Sequence, residues 1–286
     1  MYCYRMGDIG FGFDTDLQLE ETHLYDLFRI DESEFYRLTE RNYFSIKTES
    51  EKISDFGMPV FSCSSYSVYR VDDGYVKITN RYNRREYKCI CRQNNKGGEI
   101  SFTDNGIDSL LNTVELFRLI DLVTALLSFD ALILHGAVIR HGEKCIVFSG
   151  DSGAGKSTQA ELWNKYKGSE ILNGDRLIIR RIDGVWYAFG IPMRGSSDYC
   201  CLFRLPVECI VFPEKAEYNR IGQFDRKMER FIRLNSQINC GSRKKEETDK
   251  LLSLTEDIIN NIEIVRLFCT PDDGAVKCLS DYLARK

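Results

Sequence analysis

Residues 150 to 158 read Gly-Asp-Ser-Gly-Ala-Gly-Lys-Ser-Thr, a stretch that few folds accommodate except as a tight turn feeding a helix. Just upstream, Cys145-Ile146-Val147-Phe148-Ser149 is a short apolar run that suits a buried strand. Downstream, Thr158 to Tyr166 carries Ala160, Leu162 and Trp163 with no Gly or Pro, which suits a helix. A strand, a glycine turn and a helix in that order aim backbone N–H groups and the positive helix end at an anion. The segment fulfils the G-x-x-x-x-G-K-[ST] pattern. Gly150, Asp151, Ser152, Gly153, Ala154 and Gly155 form the cradle, and Thr158 follows the motif into the helix. In such a loop Lys156 reaches the terminal phosphates and the Ser157 hydroxyl ligates magnesium. The pattern predicts a nucleoside triphosphate site.

Charge and cysteine content narrow the partners. The formal charge of −4 gives no electrostatic reason to expect nucleic acid or an anionic membrane. The basic run Arg243-Lys244-Lys245 is followed at once by Glu246 and Glu247, which reads as a solvated loop. No apolar run approaches the roughly 18 residues needed to span a bilayer. Met1 to Gly10 lacks the basic start and apolar stretch of a signal peptide. The 11 cysteines are therefore read as reduced thiols of a cytoplasmic protein. Cys89-x-Cys91 and Cys200-Cys201 have no second pair or His partners at zinc-site spacing.

The chain divides by its periodicity. Residues 1–107 read as a small strand-rich α+β domain, a candidate for substrate or partner recognition, with the first 60 residues assigned only loosely. Tyr66 to Val71, a turn at Asp72-Asp73-Gly74, and Tyr75 to Thr79 predict a hairpin. Glu86 to Arg92 extends it, and Asn94-Asn95-Lys96-Gly97-Gly98 is a turn signal. From Asp108 the apolar residues Leu110, Leu111, Val114, Phe117, Ile120, Val123 and Leu127 recur at helical spacing. They predict one connecting helix over 108–130 with Asp108 as its N-cap. Residues 131–286 form the nucleotide domain, opening with the buried strand Leu132 to Ile139. Strands follow at 177–182, 185–189, 208–212 and 264–268, and helices at 225–234 and 246–262. The polar segment 235–245 between those helices is a candidate lid. Thr270 as N-cap and Pro271 in the first helical position start the last helix.

A triphosphate site of this kind needs a second magnesium carboxylate from another strand. Asp175, just before an apolar strand, is the best candidate, with Glu208 and Asp198 as weaker ones. The alternative, that Asn173-Gly174-Asp175 is merely a turn, stays open. Leu134-His135-Gly136-Ala137-Val138, followed after a short loop by Phe148-Ser149 and Gly150 to Ser157, resembles HPr kinase/phosphorylase. The resemblance covers roughly residues 131–215. Gly190-Ile191-Pro192-Met193-Arg194-Gly195 and the Pro206 to Phe212 strand are similar to a looser group that includes peptide-tailoring serine kinases.

The resemblance implies an α/β fold, an HPr kinase/phosphoenolpyruvate carboxykinase-like P-loop nucleotide domain with a mixed sheet. It implies transfer of the γ-phosphoryl group of ATP, with Mg²⁺, to a hydroxyl of a peptide, protein or small molecule. Lys156, Asp175, His135 and Arg194 are the implied catalytic residues, and Ser157 and Asp175 the implied magnesium ligands. A core histidine on an apolar strand stays open for His135. Homo-oligomerisation is also left open. One departure stands out: the first aspartate of the family's adjacent pair, its expected general base, is Gly174 here. A catalytically weak nucleotide sensor that recruits a peptide or protein partner is therefore the alternative function.

Overall fold

A computed structural model describes residues 1–50, 56–63, 66–71, 74–82, 85–102, 110, 112–193, 199–239 and 245–285. The expected turn residues Asp72 and Asp73, the expected cap Asp108, and 240–244 of the candidate lid lie outside these. The chain forms two compact units, 1–129 with 240–248 and 130–239 with 249–286. The architecture is mixed α/β, and each unit is built on a mixed sheet.

The first unit holds β1 (Tyr2–Met6), β2 (Ile9–Asp14), α1 (His23–Asp26), α2 (Glu32–Arg37) and β3 (Arg41–Ser50). There follow β4 (Phe61–Ser62), β5 (Tyr66–Val71), β6 (Gly74–Tyr82), β7 (Arg85–Asn94) and β8 (Gly97–Phe102). The eight strands run in the order β1-β2-β3-β8-β7-β6-β5-β4. The predicted hairpin is β5–β6, and β7 and β8 continue it as a meander. The loosely assigned N-terminus forms a second hairpin, β1–β2, turning through Gly7 and Asp8, both at positive φ. That pair of left-handed residues is what a two-residue hairpin turn demands.

Residues 108–130 differ from the single helix expected. They form α3 (Thr113–Leu119) and α4 (Leu122–Leu127), broken by an extended Ile120. The break has a local cause. The Asp121 side chain caps α4 by accepting from Thr124 N at 3.3 Å. The buried Gln93 amide brackets the Asp121 backbone with two 2.8 Å hydrogen bonds. Phe117 of α3 meets Tyr4, Phe11 and Phe13 edge-on in the aromatic core of this unit.

The second unit contains β9 (Ala131–His141), β10 (Lys144–Ser149), α5 (Lys156–Lys167), β11 (Ile171–Asn173), β12 (Arg176–Ile182) and β13 (Val185–Phe189). It continues with β14 (Arg204–Lys215), β15 (Arg220–Gly222), α6 (Lys227–Asn235), α7 (Lys245–Asn261, whose first four residues belong to the first unit), β16 (Glu263–Cys269) and α8 (Asp273–Leu283). The strand order is β10-β9-β12-β13-β14-β16-β15, with β11 on β9 and a further parallel pairing of β10 with β14. β9 and β14 are each long enough to pair with three other strands. The C-terminal half of β9 pairs β10 and its N-terminal half pairs β12. The start of β14 pairs β13, and its middle pairs β10. The pairings close a ring through β10, β9, β12, β13 and β14, which draws the ends of β10, β11 and the middle of β9 together.

Ala137, Ile139, Ile146, Phe148, Ala160, Trp163, Val211 and Leu267 lie in one buried cluster that seats α5 on the strands. At about 1.5–3 kcal/mol per fully buried large apolar side chain, this cluster fixes where α5 begins. The last helix starts later than its Thr-Pro signal suggests. Asp272 is the N-cap, accepting from Gly274 N at 3.0 Å. Thr270 is engaged elsewhere, its hydroxyl and N–H both bonded to the Asn219 side chain.

Candidate functional site

The glycine-rich loop leaves β10 at Ser149 and enters α5 at Lys156. Gly150 sits at φ 140° and Gly155, the N-cap of α5, at φ 101°. L side chains are strained at both angles, so glycine permits the loop to fold back over the helix start. Ser157 and Thr158 are exposed in the first turn of α5.

Lys156 does not extend into solvent. It is buried, and its ammonium donates to the carbonyls of Gly150 at 2.8 Å and Asp151 at 3.0 Å. Burial pulls its pKa below the ordinary lysine range, while the carboxylates of Asp175 and Asp151 pull the other way. The cation thus sits at the mouth of the turn with two main-chain carbonyls as its hydrogen-bond acceptors.

The opposite wall comes from β9 and the β11–β12 turn. Arg176 pairs with His135 across β9 and β12, and Gly136 N donates to the Asp175 carbonyl at 2.9 Å. His135 Nε2 lies 3.3 Å from Asp175 Oδ1, and Arg176 Nε lies 3.6 Å from Asp175 Oδ2. Gly136 must be small here, because a Cβ would meet the Phe148 carbonyl at 3.0 Å. The turn itself is set by buried Asn173, whose side-chain oxygen accepts from Asp175 N at 3.2 Å. The Asn-Gly-Asp segment is therefore a turn, and it brings the Asp175 carboxylate to His135. Burial, then the Lys156 charge, lowers the His135 pKa, with Asp175 opposing. His135 is neutral near pH 7.

A third wall comes from the end of α6 and the first residues of the segment read as a candidate lid, whose contacts with the loop the sequence did not forecast. The Asp151 carboxylate accepts from Gln237 Nε2 at 2.8 Å and from Arg233 Nη1 at 3.0 Å. The Gln237 bond, followed by the Arg233 charge, holds the Asp151 carboxyl below the usual range. Gln237 also accepts from His135 N through its own carbonyl at 2.9 Å, so one residue ties this segment to both other walls.

His135, Lys156, Asp175 and the loop 150–158 thus form one cluster. Arg194 and Asp198 lie outside the described residues. Glu208 is removed from it: it accepts from His141 Nδ1 at 2.6 Å beside the start of β10, at the far end of that strand from the loop. Oxygen donors at Ser157 and Asp175 suit a hard divalent cation, which fits magnesium. Among the described residues no helix is long and apolar enough to cross a membrane.

No protein-family model matches the chain, and no curated protein matches its sequence. Among solved structures, the Hpr(Ser) kinase/phosphatase from Coxiella burnetii is similar over 54% of this chain and 88% of that one. The identity is 11% and the TM-score 0.31, a distant likeness that carries no argument about chemistry.

Proposed function

We propose that the second unit is an ATP-dependent phosphotransferase that moves a terminal phosphoryl group to a hydroxyl of a peptide, protein or small molecule. The observation that carries this reading is the buried Lys156 ammonium held by two loop carbonyls at the start of α5. A cation with main-chain partners alone, beside a helix N-terminus, is a receptor for a polyanion. The Ser157 hydroxyl and the Asp175 carboxylate are the oxygens that would hold magnesium, which neutralises phosphate charge when bound.

The division of labour follows from the walls. The loop amides and Lys156 orient the phosphates and offset charge that grows on the leaving oxygen. His135, 3.3 Å from Asp175, would take a proton from an incoming hydroxyl in this reading. Position 174, where an acid is expected, is a buried glycine. Phosphoryl transfer rests mainly on positioning and electrostatics, so it asks little of a base.

Gly174 also favours a second reading, a sensor that binds nucleotide and turns it over slowly. The test is incubation with magnesium, ATP and a panel of peptides and hydroxyl metabolites, read by mass spectrometry. A mass gain of one phosphate on a panel member is expected. Saturable ATP binding with no transfer to any of them, in the wild type and in Gly174→Asp alike, would reject the phosphotransferase.

A further inference from the structure

Arg233 has the chemistry of a phosphate ligand and spends little of it in this state. It projects from α6 with its side chain 31% exposed, and one of its nitrogens, Nη1, is 3.0 Å from Asp151 Oδ2. Its Nε is buried without a hydrogen-bond partner. An unsatisfied buried donor on a charged group is costly, and such orphans call for an explanation. The guanidinium rests over the Phe212 ring, 5.5 Å from its centroid. Phe212 in turn flanks the loop: a Cβ built on Gly150 would lie 3.8 Å from its ring. The Phe212 platform therefore holds the planar fork beside the first glycine of the loop.

Two cations grip the same loop residue. Lys156 holds the Asp151 carbonyl at 3.0 Å and Arg233 holds its carboxylate at 3.0 Å. Asp151 is itself largely exposed, at 64%. A carboxylate beside a triphosphate cradle repels the ligand, and the Arg233 charge offsets it while the cradle waits. A polyanion entering the loop would compete with Asp151 for the same guanidinium. It presents several oxygens to a fork built for bidentate contact, where the carboxylate now engages one nitrogen.

We propose that Arg233 is a second phosphate-contacting cation of this site, parked on Asp151 and turned to the terminal phosphoryl group when a triphosphate is bound. The assignment rests on the phosphotransferase reading and adds to it a residue that discriminates triphosphate from diphosphate. Gln237 holds the other oxygen of Asp151 and has no charge to offer a phosphate, so it serves as the control for a purely structural tether.

The experiment is calorimetric binding of Mg·ATP and Mg·ADP to wild type, Arg233→Met, Arg233→Lys and Gln237→Met, with thermal melts to confirm folding. Loss of a charge-assisted contact predicts ATP binding weakened about tenfold or more in Arg233→Met. ADP binding should change less than about threefold in the same variant. Arg233→Lys, which keeps the charge and loses the fork, should fall between. Gln237→Met should leave the ratio of ATP to ADP affinity as in wild type. Equal weakening of ATP and ADP in Arg233→Met and Gln237→Met alike would reduce Arg233 to a tether and overturn the assignment. Unchanged ATP affinity in Arg233→Met and in Arg233→Lys would overturn it too, while leaving the nucleotide site standing. A wild type that binds neither nucleotide would remove the site itself.

Discussion

Lys156→Met separates what this lysine does for the fold from what it does for a ligand. In the ligand-free unit the ammonium is buried and bonded to two carbonyls, of Gly150 and Asp151. Removing it strands two acceptors, at about 1–3 kcal/mol each, and relieves the burial of a charge, worth several kcal/mol. These oppose, so the net change in stability should stay within about 2 kcal/mol. A triphosphate tells the two proteins apart. If Lys156 makes two charge-assisted bonds to phosphate oxygens at about 1.5 kcal/mol each, its loss weakens binding about 150-fold. Mg·ATP at 100 times the wild-type Kd stabilises the wild type by about 2.7 kcal/mol and the variant by only about 0.3 kcal/mol. At about 2–4 °C per kcal/mol for a unit of this size, the wild type gains roughly 5–11 °C and the variant about 1 °C or less. The assay is a thermal melt followed by tryptophan emission. The chain's two tryptophans, Trp163 on α5 and Trp186 on β13, both report on the second unit. An equal rise in melting temperature for Lys156→Met and wild type would refute the role assigned to its ammonium.

Two further outcomes follow from the same walls. His135 has a folded-state pKa below its ordinary value of about 6.5, so the unfolded chain binds more protons there and stability rises with pH. Its contribution should be fully present above pH 6.5 and decline as pH falls from 6.5 through the lower folded-state value. His135→Asn should flatten that part of the urea-stability profile, and an unchanged slope would count against the burial argument. Gly155→Ala places a Cβ in open space, its nearest neighbour Pro213 Cβ at 3.9 Å, but at φ 101°. The cost should be backbone strain alone, about 1–3 kcal/mol, read as a lower urea midpoint. No loss would mean the loop relaxes freely.

How much of this was legible depended on how far apart the partners lie in the chain. The loop and its flanking strand and helix are contiguous, and each is specified by local chemistry: an apolar run, glycines, then helix formers. Asp175 and His135 were legible as residue types, but their approach rests on the β9–β12 register and on Asn173, which a linear reading treats as a turn residue. The β1–β2 hairpin was obscured because both strands are buried on both faces, which erases the alternation that marks a strand. The break between α3 and α4 was hidden for the opposite reason. The helical period runs on through Ile120 and masks the Asp121 cap, whose backbone the distant Gln93 amide, 28 residues earlier, holds in place.

The third wall was the least legible and changes the electrostatics most. Arg233 near the end of α6 and Gln237 just beyond it lie 82 and 86 residues from Asp151, in a stretch whose sequence carries no motif. From the loop alone the site is one lysine facing a polyanion, with Asp151 as an unexplained liability. With α6 in place the inventory is Lys156, Arg176 and Arg233 against Asp151 and Asp175, one positive charge in excess, with His135 beside them. That excess of one positive charge favours an arriving polyanion but does not by itself neutralise a triphosphate. A hard divalent ion on oxygen donors such as Ser157 and Asp175 would neutralise the remainder in the proposed reaction. The sign of the site's charge thus depends on Arg176 and Arg233, neither of which the loop motif contains.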